Sequence, residues 1–271
     1  MDAAKSIAVL MANPEESGEC LRSARIGLRP ALPLCAVPTT CGTGSEITAV
    51  SVLTYHELGT KKSMPYKVFP KLALIDCKYL LNAPMSIIVS TAVDALAHLI
   101  ESYLNSAADT YNRMISSYGL QLWGEIKECL KLDSLDIEMA EKLMLTSTVA
   151  GMAISQTGTS IPHYLSYTIT YEHGVSHGRA CGMFLSEYVK LYEKHNKVET
   201  GKICGWLGFE DTEAFAAYLR ELIGTVEITE KECDLYVANL LGNKGKLATF
   251  PYEISPEEAL KLYTGSLNIA E

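Results

Sequence analysis

Strand-like and helix-like segments occupy different parts of this chain, and that division constrains its fold more than any other feature. Short apolar runs typical of buried strands occur only before Pro84, whereas longer segments with helical periodicity follow it. The predicted strands are 34–37, 49–55 and 71–76, and the predicted helices are 2–11, 86–104, 111–131, 137–154, 175–193, 212–224 and 255–267. This order predicts an α/β piece at residues 1–84 and an all-helical piece at residues 85–271.

The predicted α/β piece is thin. Only three strands are predicted in it, and the first predicted element is a helix. A parallel sheet normally has several strands with helices on both faces. We therefore expect an exposed sheet edge that something must cover.

Charge and hydropathy disfavour two classes of partner. The formal net charge of −9 argues against nucleic acid and anionic membranes, because both attract basic surfaces. No apolar run approaches the roughly 18 residues of a spanning helix, and the N-terminus lacks the pattern of a signal peptide. The eight cysteines are scattered without a Cys-x-x-Cys pair, so we expect free thiols and a cytoplasmic location.

A carboxylate and several histidines form a candidate metal site. Asp94 and His98 are four residues apart, which places both side chains on one face of a helix. His163 supplies another imidazole, and a fourth ligand could be either His173 or His177, which are themselves four residues apart. Such a set suits a divalent transition metal with a position left for substrate. The alternatives are a surface Asp/His pair and a core histidine, and spacing alone does not decide between them.

Several segments, taken in order along the chain, resemble the iron-containing (group III) alcohol dehydrogenases. The matching segments are 38–46 (PTTCGTGSE), 70–76 (PKLALID), 91–101 (TAVDALAHLIE), 150–153 (AGMA), His163 and 177–178 (HG). The resemblance implies a dehydroquinate synthase-like architecture, in which a nucleotide-binding α/β domain precedes a helical metal-binding domain. It also implies interconversion of an alcohol with an aldehyde or ketone by hydride transfer with NAD or NADP.

The resemblance also implies the identity of the metal ligands. The family's ligand positions fall on Asp94, His98, His163 and His177, which leaves His173 outside the set. Family members use Fe²⁺, and some use Zn²⁺. The metal would lower the pKa of the bound alcohol so that hydride can pass to a nicotinamide.

A Gly/Thr/Ser loop matches a nucleotide-contacting loop of the family. Without the surrounding match it would be an ordinary turn. Its glycines would let the backbone approach the cofactor, and its hydroxyls would donate hydrogen bonds. The implied cofactor-binding residues are Thr39, Thr40, Gly42, Thr43, Gly44, Ser45 and Lys62, with Lys61 as the alternative to Lys62.

Two departures from the family pattern bear on activity. Tyr167 stands where the family has a histidine beside the nicotinamide, and tyrosine is a poorer base because its unperturbed pKa is near 10. We expect Tyr167 to relay the proton in its place. The segment Asp2 to Lys5 matches the family just after its Gly-Gly-Gly-Ser turn. The expectation is a member that lacks the front of a Rossmann-like nucleotide-binding domain.

Three hypotheses follow from these departures. The first is an NAD(P)-dependent alcohol dehydrogenase acting on a small alcohol or aldehyde. The second is a genuine short form that binds no dinucleotide and performs metal-assisted chemistry such as hydrolysis. The third is a non-catalytic interaction subunit with a structural metal, which pairs its sheet edge with a partner. We also expect a homo-oligomer, since the missing strands leave apolar surface to cover.

Overall fold

The front of the molecule is a small α/β unit. The computed structural model describes residues 1–58 and 60–270. The unit contains helix α1 (Asp2–Ala12) and strands β1 (Cys35–Ala36), β2 (Val52–Tyr55), β3 (Thr60–Ser63) and β4 (Leu72–Ala73). β1 pairs in parallel with β4, and β2 forms an antiparallel pair with β3. The three predicted strands are present but shorter than predicted. β3 was not predicted, because its sequence TKKS lacks an apolar alternation.

Helices form most of the remaining chain. Their bounds are α2 (Met85–Leu104), α3 (Thr110–Ile126), α4 (Ile137–Thr157), α5 (Ile161–His173), α6 (His177–Glu193), α7 (Lys197–Leu207), α8 (Thr212–Ile223), α9 (Glu230–Gly242), α10 (Lys244–Leu247) and α11 (Pro256–Thr264). The predicted class, a small α/β piece with a helical domain, is confirmed. The division into domains at residue 84 stays a prediction.

The expectation of an all-helical back part is wrong in one place. Strands β5 (Glu227–Thr229) and β6 (Asn268–Ala270) form a short parallel pair in it. β5 leads directly into α9, and β6 lies close to the C-terminal end of the chain. Three-residue strands are too short to show an alternating pattern, so the sequence carried little signal for them.

Side-chain caps and glycines set several helix boundaries. Asp136 accepts a hydrogen bond from the Met139 amide at the start of α4. Gly174 ends α5 in the left-handed conformation, with φ of 65°. α5 itself was not predicted, because its sequence IPHYLSYTITYEH is rich in β-branched and aromatic residues of modest helix propensity.

Helix α2 is the central element of the core. Every residue from Ala92 to Leu104 is buried. By length and composition α2 could cross a membrane, with mean hydropathy of 1.4, but 83% of the qualifying window is buried inside the protein. The expectation that no segment is long and apolar enough to cross a membrane is therefore wrong. Burial on all sides of a core helix produces the same composition as lipid exposure.

A close backbone contact joins α2 to α6. Gly178, the second residue of α6, lies against the Ser90 carbonyl of α2, and a Cβ at Gly178 would be 1.8 Å from that oxygen. The Ser90 and Ser176 hydroxyls are also hydrogen bonded at 3.0 Å. This contact brings the first turn of α6 beside the middle of α2.

The close contact predicts the effect of adding one methyl group. Gly178→Ala should destabilise the protein by about 3 kcal/mol, because the backbone of two core helices must separate to admit the Cβ. Urea unfolding measures the change. Gly201→Ala is the matched control, since a Cβ at this exposed position in α7 meets nothing within 4 Å and should raise stability by about 1 kcal/mol. Equal unfolding midpoints for the two variants would contradict the account.

Candidate metal centre and the adjoining cavity

Three imidazoles converge on one buried carboxylate oxygen. The Nε2 atoms of His98, His163 and His177 lie 3.8, 3.3 and 3.8 Å from Asp94 Oδ1. Asp94, His98 and His163 are buried, whereas the His177 side chain is 33% exposed and faces a cavity. Each of these nitrogens is close enough to the carboxylate oxygen to share a small ion with it, because two ligands about 2.1 Å from a metal lie somewhat more than 3 Å apart.

The elements that carry these residues explain the convergence. Asp94 and His98 are one turn apart on α2, as predicted from their spacing. His163 lies in the first turn of α5 and His177 is the first residue of α6. Both histidines thus follow a turn immediately, and the contact at Gly178 fixes the start of α6 against α2.

Two buried atoms at the centre lack hydrogen-bond partners. Asp94 Oδ1 and His163 Nε2 are both fully buried, and neither has a partner among the described residues. A buried charged group without a partner costs more than about 1–3 kcal/mol. A cation between these atoms would satisfy both at once. The donor set of one carboxylate and three imidazoles therefore fits a divalent transition metal.

The other nitrogen of each imidazole has its own partner. His98 Nδ1 lies 3.2 Å from the Gly42 carbonyl, and His163 Nδ1 lies 2.5 Å from Glu101 Oε1. His177 Nδ1 lies 3.4 Å from Ser166 Oγ. When Nδ1 donates to such an acceptor, the Nε2 lone pair is free to bind a metal.

Electrostatics at the centre differ between the ligands. Burial alone would raise the pKa of Asp94, but the facing histidines lower it well below its usual value. Burial lowers the pKa of His98 to about 4. Burial would also lower the pKa of His163, but Cys181, Glu101 and Asp94 raise it well above its usual value.

Cys181 joins the cluster and was missed from the sequence. Its Sγ lies 3.8 Å from His177 Nε2, and a thiolate there could complete a ligand group with Asp94, His163 and His177. Burial would raise the pKa of Cys181, but His163 and His177 lower it below its usual value. The sequence feature that could have indicated it is its position, one helical turn after His177.

His173 lies outside the cluster. Its Nε2 is 3.3 Å from the Tyr236 hydroxyl and 3.7 Å from Glu232 Oε1. The geometry thus separates the two candidates that spacing left open, since His177 faces Asp94 and His173 faces α9.

A cavity of about 660 Å³ opens onto the cluster. From the front unit, four predicted loop residues line it: Thr39, Thr40, Thr43 and Ser45. Lys61 lines it as well, whereas Lys62, its neighbour on β3, is exposed and lies outside the lining. The structure therefore favours Lys61 over Lys62 as the lysine near a bound molecule.

The two loop glycines do not line the cavity. Gly44 has φ of +54°, and a Cβ there would lie 2.5 Å from the Gly151 Cα of α4. Gly42 turns its carbonyl toward His98. Both glycines pack the loop closely against the helices, and their approach to a cofactor stays a prediction.

Lys5 fixes the same wall from behind. Its buried ammonium donates to Ser45 Oγ at 2.9 Å and to the carbonyls of Thr48 and Val50 at 2.8 and 2.9 Å. The segment that matched the family at Asp2 and Lys5 thus holds the hydroxyl-bearing loop in place.

Tyr167 lies on the cavity wall beside the cluster. Its ring stacks on His177 with centroids 5.9 Å apart and planes 20° apart. Burial raises its pKa, which makes the phenol a weaker acid and favours its donating a hydrogen bond over its accepting a proton.

Comparison with protein families decides the classification. The sequence profile for the C-terminal part of the Fe-containing alcohol dehydrogenase family matches residues 88–239. The sequence profile for iron-containing alcohol dehydrogenases matches residues 1–77. The chain belongs to the iron-containing alcohol dehydrogenase family. Within this family, the cluster on α2, α5 and α6 falls in the matched C-terminal part.

Individual proteins resemble most of the chain. The probable alcohol dehydrogenase EutG of Salmonella typhimurium is 32% identical over 238 residues, which cover 86% of this chain. An iron-containing alcohol dehydrogenase of Thermotoga maritima has a TM-score of 0.86 at 29% identity, covering 98% of this chain and 72% of that one. Sulfoacetaldehyde reductase of Bifidobacterium kashiwanohense, solved in complex with NAD⁺, has a TM-score of 0.85 at 25% identity, covering 98% and 73%.

Length separates this chain from those relatives. The match to EutG spans 60% of that protein's length. The resemblance to these relatives supports the fold and the classification of this chain.

The cluster geometry predicts which histidines matter for metal binding. His177→Ala should weaken Zn²⁺ or Fe²⁺ binding at least 100-fold, because the site loses an imidazole that faces Asp94. His173→Ala is the control and should bind like the unsubstituted chain. Competition with a chromophoric chelator under anaerobic conditions measures both affinities. Loss of binding in His173→Ala with retention in His177→Ala would contradict the assignment.

The pKa directions predict a pH dependence of metal binding. The pKa values of His163 and His177 are raised, with nearby Cys181 among the causes in both, and a metal binds only the neutral imidazole. Protons therefore compete at pH values above 6.5, and apparent affinity should rise about tenfold per pH unit for each proton displaced. Chelator competition between pH 6.5 and 8 tests this. A flat profile would show that both imidazoles are already neutral there.

Proposed function

We propose that the chain is a metal-dependent oxidoreductase that interconverts an alcohol with an aldehyde or ketone, using NAD or NADP. The observation that carries the proposal is the convergence of three imidazole Nε2 atoms on the orphaned oxygen of Asp94, at the floor of a large cavity. Membership of the iron-containing alcohol dehydrogenase family supplies the reaction class.

The proposed ligands are the four residues predicted from the sequence. Asp94, His98, His163 and His177 would hold Fe²⁺ or Zn²⁺, and Cys181 is a further donor within reach. When bound, a divalent cation polarises the oxygen of an alcohol or carbonyl substrate and lowers the pKa of the alcohol. Glu101 and the Gly42 carbonyl orient the imidazoles of His163 and His98.

The residues of the front wall would hold the nicotinamide cofactor. Thr39, Thr40, Thr43 and Ser45 present hydroxyls to the cavity, and Lys61 presents an ammonium. NAD⁺ is present in the structure of the similar Bifidobacterium protein, which supports the same cofactor here. Gly42 and Gly44 serve by positioning the loop.

Tyr167 is the proposed proton-relay residue. Its ring lies against His177 and lines the cavity. Because burial raises its pKa, the phenol stays protonated, and it would relay a proton by accepting one while passing its own on, rather than by acting as a phenolate base. The proposal also includes the domain division at residues 1–84 and 85–271, a cytoplasmic location and a homo-oligomeric state.

A turnover assay tests the proposed function. The anaerobically purified, Fe²⁺-loaded chain should form NADH or NADPH from a short primary alcohol, measured by absorbance at 340 nm. Asp94→Ala should lower the rate at least 1000-fold, because the site loses its carboxylate. His173→Ala should retain it. Metal binding without any reduction of NAD⁺ or NADP⁺ would refute the proposal and favour chemistry without a dinucleotide.

A further inference from the structure

Lys246 brings a positive charge to the cavity that holds the metal cluster. It lies on the short helix α10 and lines the cavity together with Ser155, Thr159 and His163. Its ammonium donates to the Thr159 carbonyl at 3.0 Å and lies 3.4 Å from the Thr159 hydroxyl. Both acceptors are neutral, so the charge itself is not compensated by them.

No carboxylate forms an ion pair with Lys246 among the described residues. Burial lowers the pKa of the Lys246 ammonium, and the negative charge of Glu101 opposes that shift, but the carboxylate of Glu101 is already used. One oxygen accepts from His163 Nδ1 and the other from the Ser160 amide. An ammonium in a half-buried position retains a strong preference for an anion.

The segment that carries Lys246 is held rigidly. Asn243 caps α10 by accepting from the Lys246 amide at 3.0 Å. After the helix, the Thr249 carbonyl accepts from the Ser106 amide at 2.9 Å, and Thr249 Oγ1 lies 2.7 Å from Ser160 Oγ. A charge positioned in advance binds its partner with less loss of entropy.

Lys246 is also linked to the metal cluster through few bonds. Lys246 donates to the carbonyl of Thr159. The amide of the next residue, Ser160, donates to Glu101, and Glu101 in turn orients His163. A small molecule with one end at the cluster thus has a cation within the same cavity for its other end.

We infer that the substrate is a short alcohol or aldehyde with a terminal anionic group, a carboxylate or sulfonate, and that Lys246 binds this group. The inference rests on the proposed function for the reacting end of the molecule. It assigns the far end to a charge-assisted hydrogen bond, which discriminates strongly against neutral analogues because the ammonium would then face the cavity unpaired.

A second lysine, Lys61, also lines the cavity. The phosphates of a cofactor and the anionic end of a substrate could therefore bind to different lysines. Lys61 belongs to β3 and lines the cavity together with Thr54 and Ser63, also of the β2–β3 pair. We assign Lys61 to the cofactor side and Lys246 to the substrate. Cofactor phosphates and a substrate carboxylate are therefore expected to depend on different lysines.

Binding and turnover of a matched pair of molecules test the inference. The probes are 4-hydroxybutyrate and its neutral amide, 4-hydroxybutanamide. Their affinities for the Zn²⁺-loaded full chain are measured by calorimetry, and their kcat/KM values with NAD⁺ are measured on the Fe²⁺-loaded chain. We expect the acid to be favoured at least tenfold. Lys246→Met should abolish the preference, and Lys246→Arg should keep part of it.

Two control variants complete the design. Lys244→Met removes an exposed ammonium from the same helix and should leave the preference unchanged. Lys61→Met should weaken NADH binding, measured by fluorescence, with the preference between acid and amide retained.

The outcomes separate the inference from the proposed function. Equal affinities for acid and amide, a preference that survives in Lys246→Met, or loss of the preference in Lys61→Met instead, would overturn the inference. Weakened NADH binding in Lys246→Met with unchanged acid binding would also overturn it, since Lys246 would then serve the cofactor. If the acid is preferred through Lys246 but no NADH forms, the inference stands and the proposed redox function fails.

Discussion

The buried carboxylate of Asp94 is the constraint on which the rest of the site depends. An acidic group in the centre of a core helix is costly unless opposite charge reaches it. Three imidazoles surround it, yet one of its oxygens has no hydrogen-bond partner. The Nδ1 atoms of the three rings have their own partners, which are the Gly42 carbonyl, Glu101 and Ser166. The Nε2 atoms are therefore left to face Asp94. Such an arrangement is stable when a cation occupies that point.

The architecture follows from bringing those side chains together. α2 supplies two of them at one helical turn, and α5 and α6 each supply one at or near their first residue. The α2–α6 contact is possible because residue 178 has no side chain, and the front loop reaches the helices because residue 44 has none. The small α/β unit then forms one wall of the cavity, with Lys5 securing that wall from the protein interior.

Local sequence patterns predicted part of this arrangement. The spacing of Asp94 and His98 predicted one helical face, and that placement is observed. Spacing could not separate His173 from His177, because the two histidines are only four residues apart and either could follow His163 as a ligand. Only tertiary packing places His177 opposite Asp94. Cys181 was missed for a similar reason, since its position one helical turn after His177 becomes informative only once His177 is placed in the cluster. Strands β5 and β6 and helix α5 depend on contacts distant in sequence, which local propensity does not report.

Some residues have a role that differs from what their type suggested. Glycines in the loop at 39–45 were expected to approach a cofactor, but they pack against helices while the threonines face the cavity. The lysine on the cavity wall is Lys61, because alternate residues of a strand point to opposite sides. Lys246 carried no signal at all in the sequence, since a lysine in a polar segment reads as a surface residue. Its position became informative only when the fold placed it beside the metal cluster.

Anomalous diffraction from crystals of the iron-loaded protein tests the central claim most directly. Data collected on both sides of the iron absorption edge locate the metal independently of any assumption about its ligands. One strong difference peak is expected, bounded by Asp94, His98, His163 and His177. A peak beside His173 and Glu232, or no peak in crystals shown to contain stoichiometric iron, would contradict it.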